Sequence, residues 1–92
     1  MSDATFEFSG DLTIYQVQET RDRLREAWAL GVRRFDAQQL TSLDGSGAQL
    51  LVSLFKTAAA NQQTIEWSGW SSEALEALQL MGLRKLADSG TV

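Results

Sequence analysis

The chain contains no histidine and no cysteine in its 92 residues, and those two absences remove most of the chemistry a small domain can carry. Without cysteine there are no disulfides and no thiolate nucleophile. Without either residue, only carboxylates remain as metal ligands, so a structural zinc site is excluded and a catalytic one nearly so. Lysine and arginine number eight against twelve acidic residues, for a net charge of −4, and they are scattered rather than clustered. No patch is therefore expected to neutralise phosphates, and nucleic acid is not an expected partner. Met1-Ser2-Asp3-Ala4-Thr5 lacks the charged and apolar regions of a signal peptide, and no apolar run approaches the ~20 residues a membrane span needs. The expectation is a cytoplasmic protein with no direct membrane insertion.

What is present fits one ordinary folded domain, 43% hydrophobic, over residues 1–92. Thr5-Phe6-Glu7-Phe8 alternates with a period of two and reads as a short strand, closed by Ser9-Gly10-Asp11 as a turn. Thr13 and Gln16 have capping-box spacing, and Val17, Leu24, Ala27 and Trp28 share a helical face, so a first helix is expected over roughly 14–30 with Gly31 as its stop. Val32 to Ala37 reads as a second strand. Ser46 stands three residues before Gln49, and Leu51, Leu54, Phe55 and Ala58 trace an apolar stripe, so a second helix is expected from the serine to Asn61. Thr64 to Trp67 reads as a third strand. Ser71 or Ser72 caps a third helix with Ala74, Leu75, Leu78 and Met81 on its face and Gly82 at its end, and the last residues are expected to add an edge strand. The alternation calls for an α/β fold: a mixed, mostly parallel sheet of four to five strands, with helices mainly on one face.

In such sheets the loops at the carboxyl ends of strands carry function, and Asp44-Gly45-Ser46-Gly47 is one of them. A serine nucleophile needs a base, normally histidine, and the chain has none. The surroundings are not Gly-x-Ser-x-Gly, because Asp44 holds the first position, and no phosphate-binding Gly-x-x-x-x-Gly-Lys loop occurs. An enzyme is not expected, nor is a cofactor.

Phosphoryl acceptance asks for less: an accessible hydroxyl that another protein's kinase can reach. Gly45 and Gly47 have no side chains to block that approach, and they permit a tight turn. A phosphate on Ser46 adds roughly −1.5 to −2 charge at a helix N-terminus, which favours it, and beside Asp44, which repels it. A structural role competes with this one: Ser46 as the N-cap of the second helix, bonded to the Gln49 amide. Trp67 and Trp70 read as core aromatics. The acidic surplus reads as a solvated face, and Arg33 and Arg34 are given no role.

Gln39-Leu40-Thr41-Ser42-Leu43-Asp44-Gly45-Ser46-Gly47 resembles the signature loop of the STAS family of anti-sigma factor antagonists, which typically reads Asp-Ser-Ser-Gly there. Ser9-Gly10-Asp11-Leu12 resembles the family's Gly-Glu-Leu-Asp turn, and Ser71 through Leu83 resembles its last helix. The resemblance implies a domain that binds a serine kinase doubling as an anti-sigma factor and is released when that kinase phosphorylates Ser46. It also implies that Asp44 positions the loop and that Asp11 supplies a neighbouring acidic group, so Asp44, Gly45, Gly47 and Asp11 are the implied partner-binding residues. Gly45 departs from the family's usual Ser or Thr. Leu12-Thr13-Ile14-Tyr15 is closer to a STAS subset found with chemotaxis genes, which implies a chemotaxis component as partner. A further branch, the small subunit of lipid-transport ABC complexes, braces an ATPase as a constitutive scaffold. Oligomeric state does not follow from any of these features.

Overall fold

The computed structural model describes residues 4–89. Three parallel strands, β1 (Thr5–Leu12), β2 (Arg34–Leu43) and β3 (Glu66–Trp70), lie in that order, with β2 central. The helices α1 (Val17–Ala29), α2 (Gly45–Ala60) and α3 (Ser72–Leu80) follow β1, β2 and β3, and a short α4 (Lys85–Ser89) closes the described chain. The expected α/β alternation is present, but among the described residues the sheet has three strands rather than four to five, all of them parallel. Where an edge strand was expected near the end, Lys85–Ser89 is helical and buries Leu86; residues 90–92 lie outside the described residues, as do Met1, Ser2 and Asp3.

The strands are longer than their alternation suggests because they are bulged. Thr5 to Glu7 pair in step with Arg34 to Asp36, but Ser9 faces Gln39 and Asp11 faces Ser42, so β2 gains an extra residue at each of two shifts. Each insertion bends the strand and resets which residues point inward. That is why Phe35, Ala37 and Leu40 are all buried although the last two are three apart. In β1 the expected turn at Ser9-Gly10-Asp11 is instead a continuation of the strand. Gly10 takes φ +69°, a conformation open to glycine, and the chain runs on to the buried Leu12.

Phe6, Phe8, Leu12, Phe35, Ala37 and Leu40 point to the covered face of the sheet, while Thr5, Glu7, Arg34 and Gln38 remain exposed. The helices therefore lie mainly on one side, as expected. α2 is the central helix: Leu50, Leu51 and Leu54 join the β1–β2 core, and Ala48, Val52 and Phe55 join a second cluster with Leu78 and Leu86. Trp67 and Trp70 pack against both clusters, stacked on each other at 4.4 Å. Both tryptophans are half-buried, packed on the core and not inside it.

Helix ends follow local chemistry. α1 stops in a Schellman motif, with Gly31 at φ +90° and the Val32 amide donating to the Ala27 carbonyl. α3 stops the same way at Gly82, with the Leu83 amide on the Leu78 carbonyl, and at the end of α2 a non-glycine, Gln62, takes the left-handed position at φ +55°. α3 begins at Ser71, whose hydroxyl accepts the Ala74 amide, one of the two caps expected. The Thr13–Gln16 box forms through its second half, Gln16 Oε1 accepting the Thr13 amide at 3.1 Å, and α1 itself starts only at Val17. Arg33 ties the end of α1 to the chain after α2: its guanidinium lies 3.5 Å from the centre of the Trp28 ring, donates to the Trp28 carbonyl and donates to Gln63. Arg34 makes an exposed ion pair with Glu66 across the strands.

Candidate functional site

The site is built where β2 hands over to α2. Asp44, the residue between them, is extended at φ −107°, ψ −174°, and its Oδ1 accepts the Gly47 amide at 2.9 Å. The helix cap is thus Asp44, and α2 begins at Gly45, one residue before the serine. The expected Ser46–Gln49 cap is not formed. Ser46 occupies the second helical position, half-buried, and its hydroxyl makes no hydrogen bond among the described residues. The physical reason lies outside the local sequence. Asp44 Oδ2 also accepts the Ile14 amide at 3.0 Å, and the Asp44 amide donates to the Leu12 carbonyl. A carboxylate accepts several donors at once, whereas a serine oxygen in the Ser46 position has no second chain segment to hold.

Those amides act on the acidity of Asp44. The Gly47 amide first and then the Ile14 amide stabilise the charged form and hold its carboxyl below the usual value, against a smaller opposing effect from desolvation, with the Ser46 amide adding less than either. A lowered carboxyl contributes stability that is complete above its ordinary titration range and is lost as pH falls through the lowered one. Asp44→Asn keeps one acceptor for Gly47 but turns an NH2 group toward the Ile14 amide. The variant is expected to be less stable at neutral pH and to show a flatter loss of stability through the acidic carboxylate range. Urea midpoints measured from pH 7 down to about pH 3 check both; parallel wild-type and variant curves across that range contradict the assignment.

The two glycines of the loop have different reasons. Gly45 is exposed with open space around it, so a side chain there meets nothing. Gly47 is buried: a Cβ on it would overlap the Leu12 carbonyl oxygen and lie 2.8 Å from Leu43 Cδ1. Gly47 therefore serves the close docking of the first turn of α2 on the end of β1.

Asp11 sits one step back along the sheet. Its Oδ1 accepts the hydroxyls of Ser42 at 2.9 Å and Thr41 at 3.1 Å, joining the ends of β1 and β2. Its carboxylate is exposed, but it engages the strand and not the Asp44–Gly47 loop. The structure thus brings Asp44, Gly45, Ser46 and Gly47 together and leaves Asp11 as a neighbour.

Two residues of this surface are missing from the expected set. Ile14 and Tyr15 are 62% and 90% exposed, in the turn held to the loop by the Ile14–Asp44 bond. Both are large apolar side chains left in water beside the loop. In the sequence neither belongs to the apolar stripe of the first helix formed by Val17, Leu24, Ala27 and Trp28.

A short parallel sheet, helices mainly on one face and a strand-to-helix loop capped by Asp44 define a small α/β domain. Residues 2–88 match the family model described as Mlab, STAS domain, and the chain belongs to the STAS domain family. Comparison with curated proteins found no match. STAS domains generally mediate protein–protein interactions. No helix among the described residues is long and apolar enough to cross a membrane, and no cluster of potential metal-binding side chains occurs among them.

Proposed function

We propose that this domain is a non-enzymatic cytoplasmic docking module, switched by phosphorylation of Ser46. The observation that carries the reading is the Ser46 hydroxyl, half-exposed on the first turn of α2 and released from cap duty by Asp44. In this reading a partner serine kinase that doubles as an anti-sigma factor docks on the loop and on Ile14 and Tyr15. It then transfers the γ-phosphoryl group of ATP to Ser46 Oγ: the Oγ–P bond forms as the bond to the β-phosphate oxygen breaks and ADP leaves, and the hydroxyl proton passes to a base of the kinase. The helix N-terminus favours the new anion while Asp44, two residues away, repels it, so the local fold tolerates the modification. The partner meets a surface that has gained about two negative charges, and affinity falls.

Three forms of the protein test this. Unmodified protein and Ser46→Ala are expected to bind the kinase equally, and Ser46→Asp at least tenfold more weakly, about 1.4 kcal/mol. Calorimetry with the kinase encoded nearest the gene measures the three affinities, and intact-mass analysis of protein from its host looks for the added phosphate. Equal binding by all three forms, with no phosphate found, overturns the switch.

A second reading has its own observation. The matching family model is the one described as Mlab, and Gly45 stands where the family usually has a second hydroxyl. A constitutive brace for the ATPase of a lipid-transport complex, or for a chemotaxis assembly, uses the same face without modification. Under this reading Ser46→Asp changes assembly little, and Ile14→Asp breaks it.

A further inference from the structure

The groove between α1 and α2 includes none of the Asp44–Gly47 residues and carries chemistry that the docking reading does not use. Arg21 and Arg25 stand one turn apart on α1, and neither forms an ion pair or a hydrogen bond among the described residues. They border a groove of about 290 Å³. Across it, Ser53 and Thr57 stand one turn apart on α2, exposed, with hydroxyls that bond nothing among the described residues. The floor between these rims is apolar: Leu24, Leu50 and Leu54 are buried there. Trp28 lines the groove as well, its ring held by the Arg33 guanidinium.

We infer that this groove binds a small organic anion with an apolar tail, its carboxylate or phosphate on Arg21 and Arg25 and its tail on the leucine floor. Side chains four apart on a helix have Cβ atoms about 5–6 Å from each other, so both guanidiniums reach one head group of two or three oxygens. Ser53 and Thr57 supply further donors to the same head. Size favours a small ligand, since about 290 Å³ is at the lower end of the ~300–1,000 Å³ typical of ligand pockets. Charge decides against an acidic protein segment. The chain carries −4 overall, and α1 itself bears Glu19, Asp22 and Glu26. A long acidic partner meets that repulsion along its length, whereas one anionic head pairs directly with Arg21 and Arg25, which line the groove while Asp22 and Glu26 do not.

The test is an amide chemical-shift titration of the full-length protein with decanoate, decyl phosphate and decanol. Saturable shifts are expected around Arg21, Arg25, Ser53 and Thr57 with the two anions, the stronger identifying the head group, and much weaker ones with decanol. The double variant Arg21→Gln/Arg25→Gln, whose changes lie on the exposed helix surface, is expected to keep its spectrum and bind at least tenfold more weakly. Equal affinity for decanol, unchanged affinity in the double variant, shifts centred elsewhere, or no saturable binding overturns the inference. An acidic helical peptide that competes for the groove and binds more tightly than either anion also overturns it, in favour of a protein occupant.

Discussion

Gly47→Ala lowers the stability of this domain by about 3–5 kcal/mol, a large part of the ~5–15 kcal/mol a domain of this kind possesses. The added methyl meets backbone as well as side chain. It overlaps the Leu12 carbonyl oxygen, approaches the Leu12 carbonyl carbon to 3.0 Å and approaches Leu43 Cδ1 to 2.8 Å. A side chain can rotate away, but the Leu12 carbonyl is held in place: it accepts the Asp44 amide at the end of β1. Relief requires α2 to lift from the sheet, and α2 carries Leu50, Leu51, Leu54 and Phe55 into the core. The melting temperature is expected to fall by roughly 15–25 °C, a shift that calorimetry reads directly. Gly45→Ala is the control. It places the same methyl two residues away in open space, and Tm should change by no more than a few degrees. Equal effects of the two substitutions would refute the internal role given to Gly47.

Phe35→Ala costs about 3–5 kcal/mol, and Trp67→Phe, at a neighbouring position in the same cluster, costs about 1 kcal/mol or less. Phe35 is fully buried on the central strand, with ring centres of Phe6, Phe8 and Trp67 at 6.3, 6.4 and 5.5 Å. Truncation leaves a hole that no mobile loop can fill, since its walls are strands and α2. Trp67 stacks on Phe8, Phe55 and Trp70, but its buried indole N–H finds no acceptor among the described residues. A buried donor without a partner carries a penalty of about 1–3 kcal/mol, and phenylalanine removes it while keeping a ring in the stack. The lost area and the removed penalty nearly offset. Paired chemical denaturation of the two variants settles the ranking, and a Trp67→Phe loss as large as that of Phe35→Ala contradicts it.

The same contrast between near and distant contacts explains which features were legible in the sequence. Ser71 was readable as a cap because its partner, the Ala74 amide, is three residues away. Gly31 and Gly82 were readable as stops for the same reason. Ser46 and Gln49 offered an equally good local cap and did not form it, because the competing residue, Asp44, is also held by Ile14 and Leu12, some thirty residues distant. β2 was half legible. Its first residues alternate, but the bulges at Gln38–Gln39 and beyond break the period, and polar Gln39, Thr41 and Ser42 on the exposed side disguise a strand that runs to Leu43.

By itself the sequence determined the chemistry available and the order of the elements. The lack of histidine and cysteine, the alternation of strand and helix, the α/β class and the position of the Asp44–Gly47 loop at a strand-to-helix junction are properties of residue type and local periodicity. Only the tertiary structure decided which atom does what in that loop: Asp44 caps, Gly47 makes room for Leu12, Ser46 is left with an unused hydroxyl, and Ile14 and Tyr15 stand exposed beside it. Each of these depends on the end of β1 meeting the start of α2. A contact between segments some thirty residues apart leaves no trace in the spacing of either one.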